Sequence, residues 1–379
     1  MSKTLFYTTG DLATKRLTGG IRRFMELVRY GFSSGKDMIL CSRTDAPKLQ
    51  ELGVSKHILM RGAKGDFLDK FLFPEFALLR ANLQKIKQLK KQGYDNVVAF
   101  DVPPAIGLVL MGFNNIVLFI RKDMIGYESV NHPHKGLKYY AKISVQWICE
   151  SLCLLRSKRI VTQCYYDRDQ LVSRHPLLKK CICRKTKIQI NNVNPSWGKK
   201  YISSERSDDI FRVCFIGDFS NIRKGHDLLL AAAKQLLSEG YNMEFVVIGD
   251  GKQLDFYKDQ YQHDRIRFTG RLKAATEELV KSSILVVPSR ADSCPNTVLE
   301  ALYSGIPVVG ARAGGIPEIL LNEDALFDLT AESIVDRLRE LYLDKDKLSL
   351  LLDAERKRCK ELEFDWAERM FKIIENHEQ

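Results

Sequence analysis

The stretch VVPSRADSCPNTVLEALYSGIPVVGARAGGIPEIL, residues 286–320, decides the fold. It opens as a β-branched run ending at Ser289, crosses a polar loop, and turns at Pro295 into a helical pattern that stops at Gly305. A strand then restarts at Ile306-Pro307. Pro295 suits the first helical position, where its missing N–H removes no hydrogen bond. Gly305 supplies a left-handed C-terminal stop. Strand, helix and strand in so short a stretch make one βαβ unit, the repeat of a parallel sheet. Asn296 and Glu300 are four apart and share one helical face, whereas Leu299 and Leu302 turn toward a core. The amides of Asn296 and Thr297 open the helix without intrahelical partners. With a macrodipole of about half a positive charge, they form a seat for an anion. Asp292 stands in the loop just before them. Two readings of the carboxylates stay open. Asp292 and Glu300 bracket a bound phosphate group, or Asp292 caps the helix and Glu300 is a solvated surface residue.

The same alternation runs outward in both directions. Runs at 5–9, 38–42, 57–60, 96–100, 115–120, 159–163 and 187–190, and again at 211–217, 243–249, 265–270, 284–289 and 306–311, read as strands. Amphipathic patterns at 20–32, 76–92, 226–238, 276–282 and 296–304 read as helices between them. The predicted class is α/β, with two Rossmann-like doubly wound parallel-sheet domains. The polar stretch 191–209 is linker chemistry, so the expected divisions are a first domain at 1–194, a linker at 195–209 and a second domain at 210–363. Ligands of open α/β sheets bind outside the carboxyl ends of the strands, here in an expected cleft between the two. After Thr330 the chain reads as helical, and Phe364-Asp365-Trp366 precedes a last helix whose aromatics suit docking.

Composition narrows the classes further. Hydrophobic residues at 45% and charged residues at 28% exclude disorder, collagen and a coiled coil. The uncharged stretch 102–120 approaches membrane-spanning length, but Pro103, Pro104, Gly107 and Gly112 break it into a helix and a buried strand. The N-terminal sequence lacks an h-region and a cleavage site, so no signal peptide is expected. Nine scattered cysteines lack zinc-like spacing and read as reduced thiols of a cytosolic protein. His132-Pro133-His134 has the wrong spacing for a metal site, and no metal is expected. The net charge of +12 is uneven: residues 1–200 carry 35 basic and 15 acidic residues, a net of +20, whereas the rest carries −8. Such a first half favours anionic partners. The basic run 85–91 reads as a solvated helix face, but 179–187, KKCICRKTK, resists that reading.

The D-x7-E spacing around PNTVLEA, followed by SGIPVV and AGGIPEI, resembles the E-x7-E region of the family 4, or group 1, retaining glycosyltransferases of GT-B fold. Further landmarks follow that family's order: Thr18-Gly19-Gly20-Ile21 after the first strand, FIGDFSNIRKGHDLLLAA at 215–232, FVVIGDG at 245–251, and FTGRL at 268–272. The resemblance implies a nucleotide diphosphate sugar donor, UDP- or GDP-linked, and no other cofactor. It implies catalytic roles for Asp292 at the transferred sugar and for Arg223 and Lys224 at the diphosphate. It further implies donor contacts by Gly19, Gly20, Gly217, Lys224, Gly249, Arg271, Leu272, Asn296, Thr297 and Glu300. The last helix, 364–379, is expected to cross back to an acceptor-binding first domain. The chain departs from the family at three places. Asp218 stands where an arginine is usual, and either Arg223 takes over or Asp218 points away. Arg121 stands near a usual histidine, as a cation on sugar or acceptor or as a residue outside the site. Asp292 replaces a glutamate and shortens its reach by one methylene.

The expected activity is transfer of a hexosyl or N-acetylhexosaminyl group to a glycan or lipid-linked acceptor in cell-surface polysaccharide or glycolipid synthesis. With no metal-holding pair in view, the chemistry is expected to be metal-independent. The expected place is the cytoplasm, peripheral on the cytoplasmic face of an anionic membrane. Alternatives are a nucleotide-sugar epimerase of similar fold and a basic nucleic-acid-binding protein. The latter lacks aromatic-plus-basic RNA signatures, so no nucleic-acid partner is expected.

Overall fold

The computed structural model describes residues 3–9, 12, 19–51, 53–62, 75–121, 123–131, 136–194 and 210–375. The expected linker at 195–209, Thr18 and His132-Pro133-His134 lie outside them. Two compact units divide the chain. The first holds residues 1–128, 132–189 and 365–379, and the second holds 129–131 and 190–364. The change at 189/190 comes earlier than residue 194. The reason is that the Val193 amide donates to the Leu362 carbonyl at 3.0 Å, and Val193 is buried in the second core.

In the first unit seven parallel strands form one sheet: β1 (Thr4–Tyr7), β2 (Met38–Ser42), β3 (His57–Leu59), β4 (Asn96–Phe100), β5 (Asn115–Ile120), β6 (Arg159–Thr162) and β7 (Thr186–Ile188). Their order is β3-β2-β1-β4-β5-β6-β7, with Thr4 opposite both Met38 and Asn96. β1, β4 and β6 are buried along their whole length, which is why they read as continuous apolar runs rather than alternating ones. In the second unit six strands follow the same plan: β8 (Phe211–Ile216), β9 (Met243–Ile248), β10 (Ile266–Gly270), β11 (Ile284–Val287), β12 (Val308–Ala311) and β13 (Leu326–Phe327), in the order β10-β9-β8-β11-β12-β13.

The doubly wound class is as expected, and the differences are local. The helix expected at 76–92 is two, Glu75–Ala81 and Leu83–Lys91. Asn82 interrupts them because its buried amide is committed elsewhere. Its Oδ1 accepts from the Arg61 amide at 2.8 Å, and its Nδ2 donates to the carbonyls of Arg61 and Leu78. The helical tail is three helices, Ala331–Leu343, Lys345–Glu361 and Trp366–Glu375. Thr330, Asp344 and Asp365 each accept an amide hydrogen bond at a helix start, the sequence-local device that restarts a helix. Glu355, almost wholly buried, takes the Val308 amide on both carboxyl oxygens at 3.1 Å, and burial pushes its pKa well above the carboxylate range. The last helix packs within the first unit: Trp366 is fully buried beside Phe119, with the Arg23 guanidinium 5.3 Å from its ring centroid.

Candidate active site

Each sheet reverses its winding once, between β1 and β4 in the first unit and between β8 and β11 in the second. The carboxyl ends of strands at such a reversal leave a crevice. The residues singled out by sequence gather at these two places.

In the second unit the chain leaves β8 through Gly217. A short 3-10 turn, Ile222–Lys224, then precedes the helix His226–Ser238. Asn221 caps that turn, its Oδ1 accepting from the Arg223 amide at 3.0 Å. Gly225 has φ +73° and lies against the Pro288 carbonyl, an approach that no side chain permits. The turn thereby meets the loop that follows β11. The Lys224 ammonium donates to Asp292 Oδ2. Arg223 Nη1 lies 3.7 Å from the same oxygen and donates to the Ala291 carbonyl at 3.0 Å. These three residues, the expected catalytic set, are about one-fifth exposed or less. The free helix-cap reading of Asp292 is therefore incorrect: its carboxylate pairs with two cations, and no side chain caps the helix Asn296–Ser304.

That helix has the expected bounds, Asn296–Ser304, but Pro295 is not its first helical residue. Pro295 is its N-cap, with extended backbone, and Asn296 is its first residue. Asn296, Thr297 and Glu300 are half-buried on its opening turns. The AGG segment supports Asp292 from behind. The Gly315 amide donates to the Asp292 carbonyl at 2.9 Å, and Gly314, at φ +60°, has room for no Cβ beside it. The remaining donor residues continue the row of strand ends. Gly249 lies against the Gly217 carbonyl, and its amide donates to the Gly270 carbonyl at 3.0 Å, next to Arg271 and Leu272. Arg271 is exposed and Leu272 half-buried. Asp218 is exposed, and its Oδ1 accepts from the Ser220 amide at 2.5 Å, while Arg223 stands beside Lys224 at Asp292.

Sequence reasoning missed what braces this turn. Arg290 grips Asp227 with two hydrogen bonds of 2.7 Å and the Ile222 carbonyl with a third, while its amide donates to the Arg223 carbonyl. No spacing rule links Arg290 to Asp227, because β8 and β11 become neighbours only in the sheet. His226 fills the space behind, fully buried, its ring centroid 4.2 Å from Phe219 and 4.5 Å from Tyr257. Burial pushes its pKa down from 6.5 to about 4, so the imidazole there is neutral.

In the first unit Gly19 and Gly20 open the helix Gly19–Ser33. A cavity of about 270 Å³ lies beside them, at the β1/β4 reversal, and Thr8, Phe100, Asp101 and Arg121 also line it. Arg121 lines this cavity with Gly20. Its Nη1 lies against Gly20, its guanidinium is 5.2 Å from the Phe100 ring centroid, and its Nε and Nη2 donate to Asp101 Oδ2 at 3.2 and 2.5 Å. Asp101 holds φ +70°, ψ 165°, a backbone region nearly reserved for glycine. The Phe119 carbonyl and the Arg121 amide fix it there, at 2.8 and 3.0 Å. A larger cavity, about 640 Å³, lies at the opposite ends of the second sheet's strands, among Phe211, Pro307 and Tyr342, and none of the candidate site residues lines it.

Residues 210–344 match the family described as glycosyl transferases group 1. A stretch of 113 residues is 30% identical to N-acetyl-alpha-D-glucosaminyl L-malate synthase of Bacillus anthracis, over 29% of each chain. A stretch of 104 residues is 35% identical to one subunit of the phosphatidylinositol N-acetylglucosaminyltransferase of Homo sapiens, over 26% of this chain and 22% of that one. The chain therefore matches less than a third of the length of either curated relative. The fold is similar to that of the Anabaena protein HepE in complex with UDP and glucose, with a TM-score of 0.74 over 99% of this chain and all of the other at 14% identity, a likeness of fold alone. The fold class is GT-B, and residues 210–344 match the group 1 glycosyl transferases.

Proposed function

We propose that the chain is a group 1 glycosyl transferase that moves a hexosyl or N-acetylhexosaminyl group from a nucleotide diphosphate sugar to a glycan or lipid-linked acceptor, with retention of configuration. The observation that carries the reading is the convergence of Arg223, Lys224 and Asp292 at the β8/β11 reversal, beside the opening of the helix Asn296–Ser304. Two cations and a set of first-turn amides suit a diphosphate. A departing nucleoside diphosphate develops charge on its β-phosphate, and preorganised cations stabilise that charge without reorganising. In the resting site Asp292 holds Lys224 in position. When the donor binds, the diphosphate takes over the lysine and frees the carboxylate for hydroxyls of the transferred sugar. Glu300 accepts from the ribose hydroxyls. Gly19 and Gly20 serve the donor, and Arg121 the sugar or the acceptor.

The names of the relatives, two N-acetylglucosaminyl-transferring proteins and a fold neighbour with UDP and glucose, support a UDP-linked donor. Retention follows from front-face attack: the acceptor oxygen bonds to the anomeric carbon on the side the diphosphate leaves. The acceptor's proton passes to the departing β-phosphate oxygen. The cations carry the charge, so the reaction proceeds without a metal. A lipid-linked acceptor sets the work on the cytoplasmic face of a membrane. The test is transfer from a panel of UDP- and GDP-sugars, with the anomeric configuration of the product read by NMR and EDTA as a second arm. Retention undiminished by EDTA is expected. An inverted product, or activity abolished by EDTA and restored by a divalent cation, refutes the mechanism.

A further inference from the structure

The helix Leu137–Arg156 presents an unusual face. Leu137, Tyr140, Trp147, Ile148 and Leu155 are 87, 55, 42, 51 and 47% exposed. Their spacing of three, seven, one and seven residues keeps them on one side of about 30 Å of helix. A surface helix turns its polar side outward; here the outward side is apolar and the inward side holds the polar Gln146 and Glu150, both buried. The patch continues onto the next element. Trp147 stacks on His175 at 5.0 Å, and its indole N–H donates to the Arg174 carbonyl at 3.0 Å. Those contacts hold the turn Pro176–Leu178 beside the helix, and Leu177 at its tip is 98% exposed.

The exposed charge around this patch is mainly basic, with Glu128 paired to Lys142, Asp123 to Arg174 and Asp169 to Arg168. Lys138, Arg156 and Lys158 are exposed on and after the helix. Lys179, Lys180, Arg184 and Lys187, the basic run the donor site leaves unused, follow Leu177 in the chain and are exposed. Lys185 ties that run to the helix by donating to the carbonyls of Leu154 and Leu155 at 3.2 and 2.7 Å. Glu150 is the one carboxylate of residues 137–156, and it is buried against His175 and Arg174 at 2.7 Å. Among the described residues no helix is long and apolar enough to cross a membrane.

We infer that this face docks on an anionic lipid surface, with the apolar row lying among the headgroups and acyl ends and the lysines and arginines on the phosphates. The inference deepens the proposed lipid-linked acceptor and rests on that reading for its purpose. An interfacial helix of this kind combines an apolar face carrying Trp, Tyr and Leu with flanking Lys and Arg. A second copy is the poorer occupant, since two like-charged basic rims would face one another. A nucleic acid is poorer too, because its phosphates leave Leu137, Ile148 and Leu177 uncovered.

The test is co-sedimentation of the full chain with vesicles of phosphatidylglycerol and phosphatidylcholine, against vesicles of phosphatidylcholine alone. Binding to the anionic vesicles that weakens by about tenfold or more as salt rises is expected. Ile148→Glu with Leu177→Glu, two exposed positions, is expected to weaken it by about tenfold or more, and Lys179→Glu with Lys180→Glu to weaken it as well. A thermal shift with UDP, read on every variant, reports folding and the donor site separately, so failure of the donor reading leaves the vesicle arm intact. Three results each overturn the inference: no binding to anionic vesicles at low salt, equal binding to neutral ones, or unchanged binding by a folded Ile148→Glu, Leu177→Glu variant. A dimer in sedimentation equilibrium that this variant splits assigns the face to a second copy instead. Oligonucleotide binding that the lysine variant abolishes, without vesicle binding, assigns it to nucleic acid.

Discussion

Gly225→Ala isolates the approach that brings the two halves of the donor site together. At φ +73° any side chain meets the left-handed penalty, about 1–2 kcal/mol. Gly240, at φ +85° with nothing within 4 Å of a built Cβ, meets that penalty alone, so Gly240→Ala is the control. At Gly225 the Cβ would stand 1.8 Å from the Pro288 carbonyl oxygen, and reaching even 3.0 Å requires the turn and the strand end to part by about 1.2 Å. Overpacking of this kind costs about 1–3 kcal/mol beyond the conformational penalty. The displacement falls on Arg223, Lys224 and the loop that carries Asp292, and a shift of about 1 Å at reacting groups lowers a rate by about a hundredfold. Urea unfolding and initial rates of sugar transfer, measured on both variants, give the comparison. Gly225→Ala is expected to be less stable than Gly240→Ala and slower by about a hundredfold. Equal stability and equal turnover in the two would refute the assembly of the site through this contact.

Lys224→Ala and Glu300→Ala should each lower transfer by about 10²–10³ while urea unfolding stays cooperative; near-normal turnover in a folded variant removes that residue from the site. Arg121→Ala should lower transfer and leave the thermal shift by UDP unchanged, since the proposed diphosphate cations Arg223 and Lys224 belong to the second unit; a lost UDP shift would place Arg121 on the diphosphate instead. His226 is held neutral by burial, its pKa near 4 rather than 6.5. The folded state then binds fewer protons than the unfolded one between those values. The histidine's contribution to stability is thus present above about pH 6.5 and is lost as pH falls toward 4. His226→Phe should flatten the stability–pH profile in that window, and an unchanged slope from pH 7 to 4 would place the imidazole in water.

The sequence alone determined what depends on near neighbours. The βαβ unit at 286–320 is legible because glycine and proline punctuate it and the apolar period changes between strand and helix. The same local signals place the strands and the long helices to within a few residues. Where they fall short, a distant partner intervenes. Asn82 breaks a helical pattern because Arg61, 21 residues away, occupies its amide. β13 has only two residues, too few to show a period, and exists because β12 offers it an edge. The site divides the same way. Lys224, Asp292 and Glu300 can be picked out by their motifs, but the pairing of Lys224 with Asp292, 68 residues apart, cannot. Nor can the Arg290–Asp227 fork, the strained backbone of Asp101, or the outward apolar face of the helix Leu137–Arg156. A helical period shows that one face differs from the other; only the tertiary structure decides which face is covered and which strand ends become neighbours.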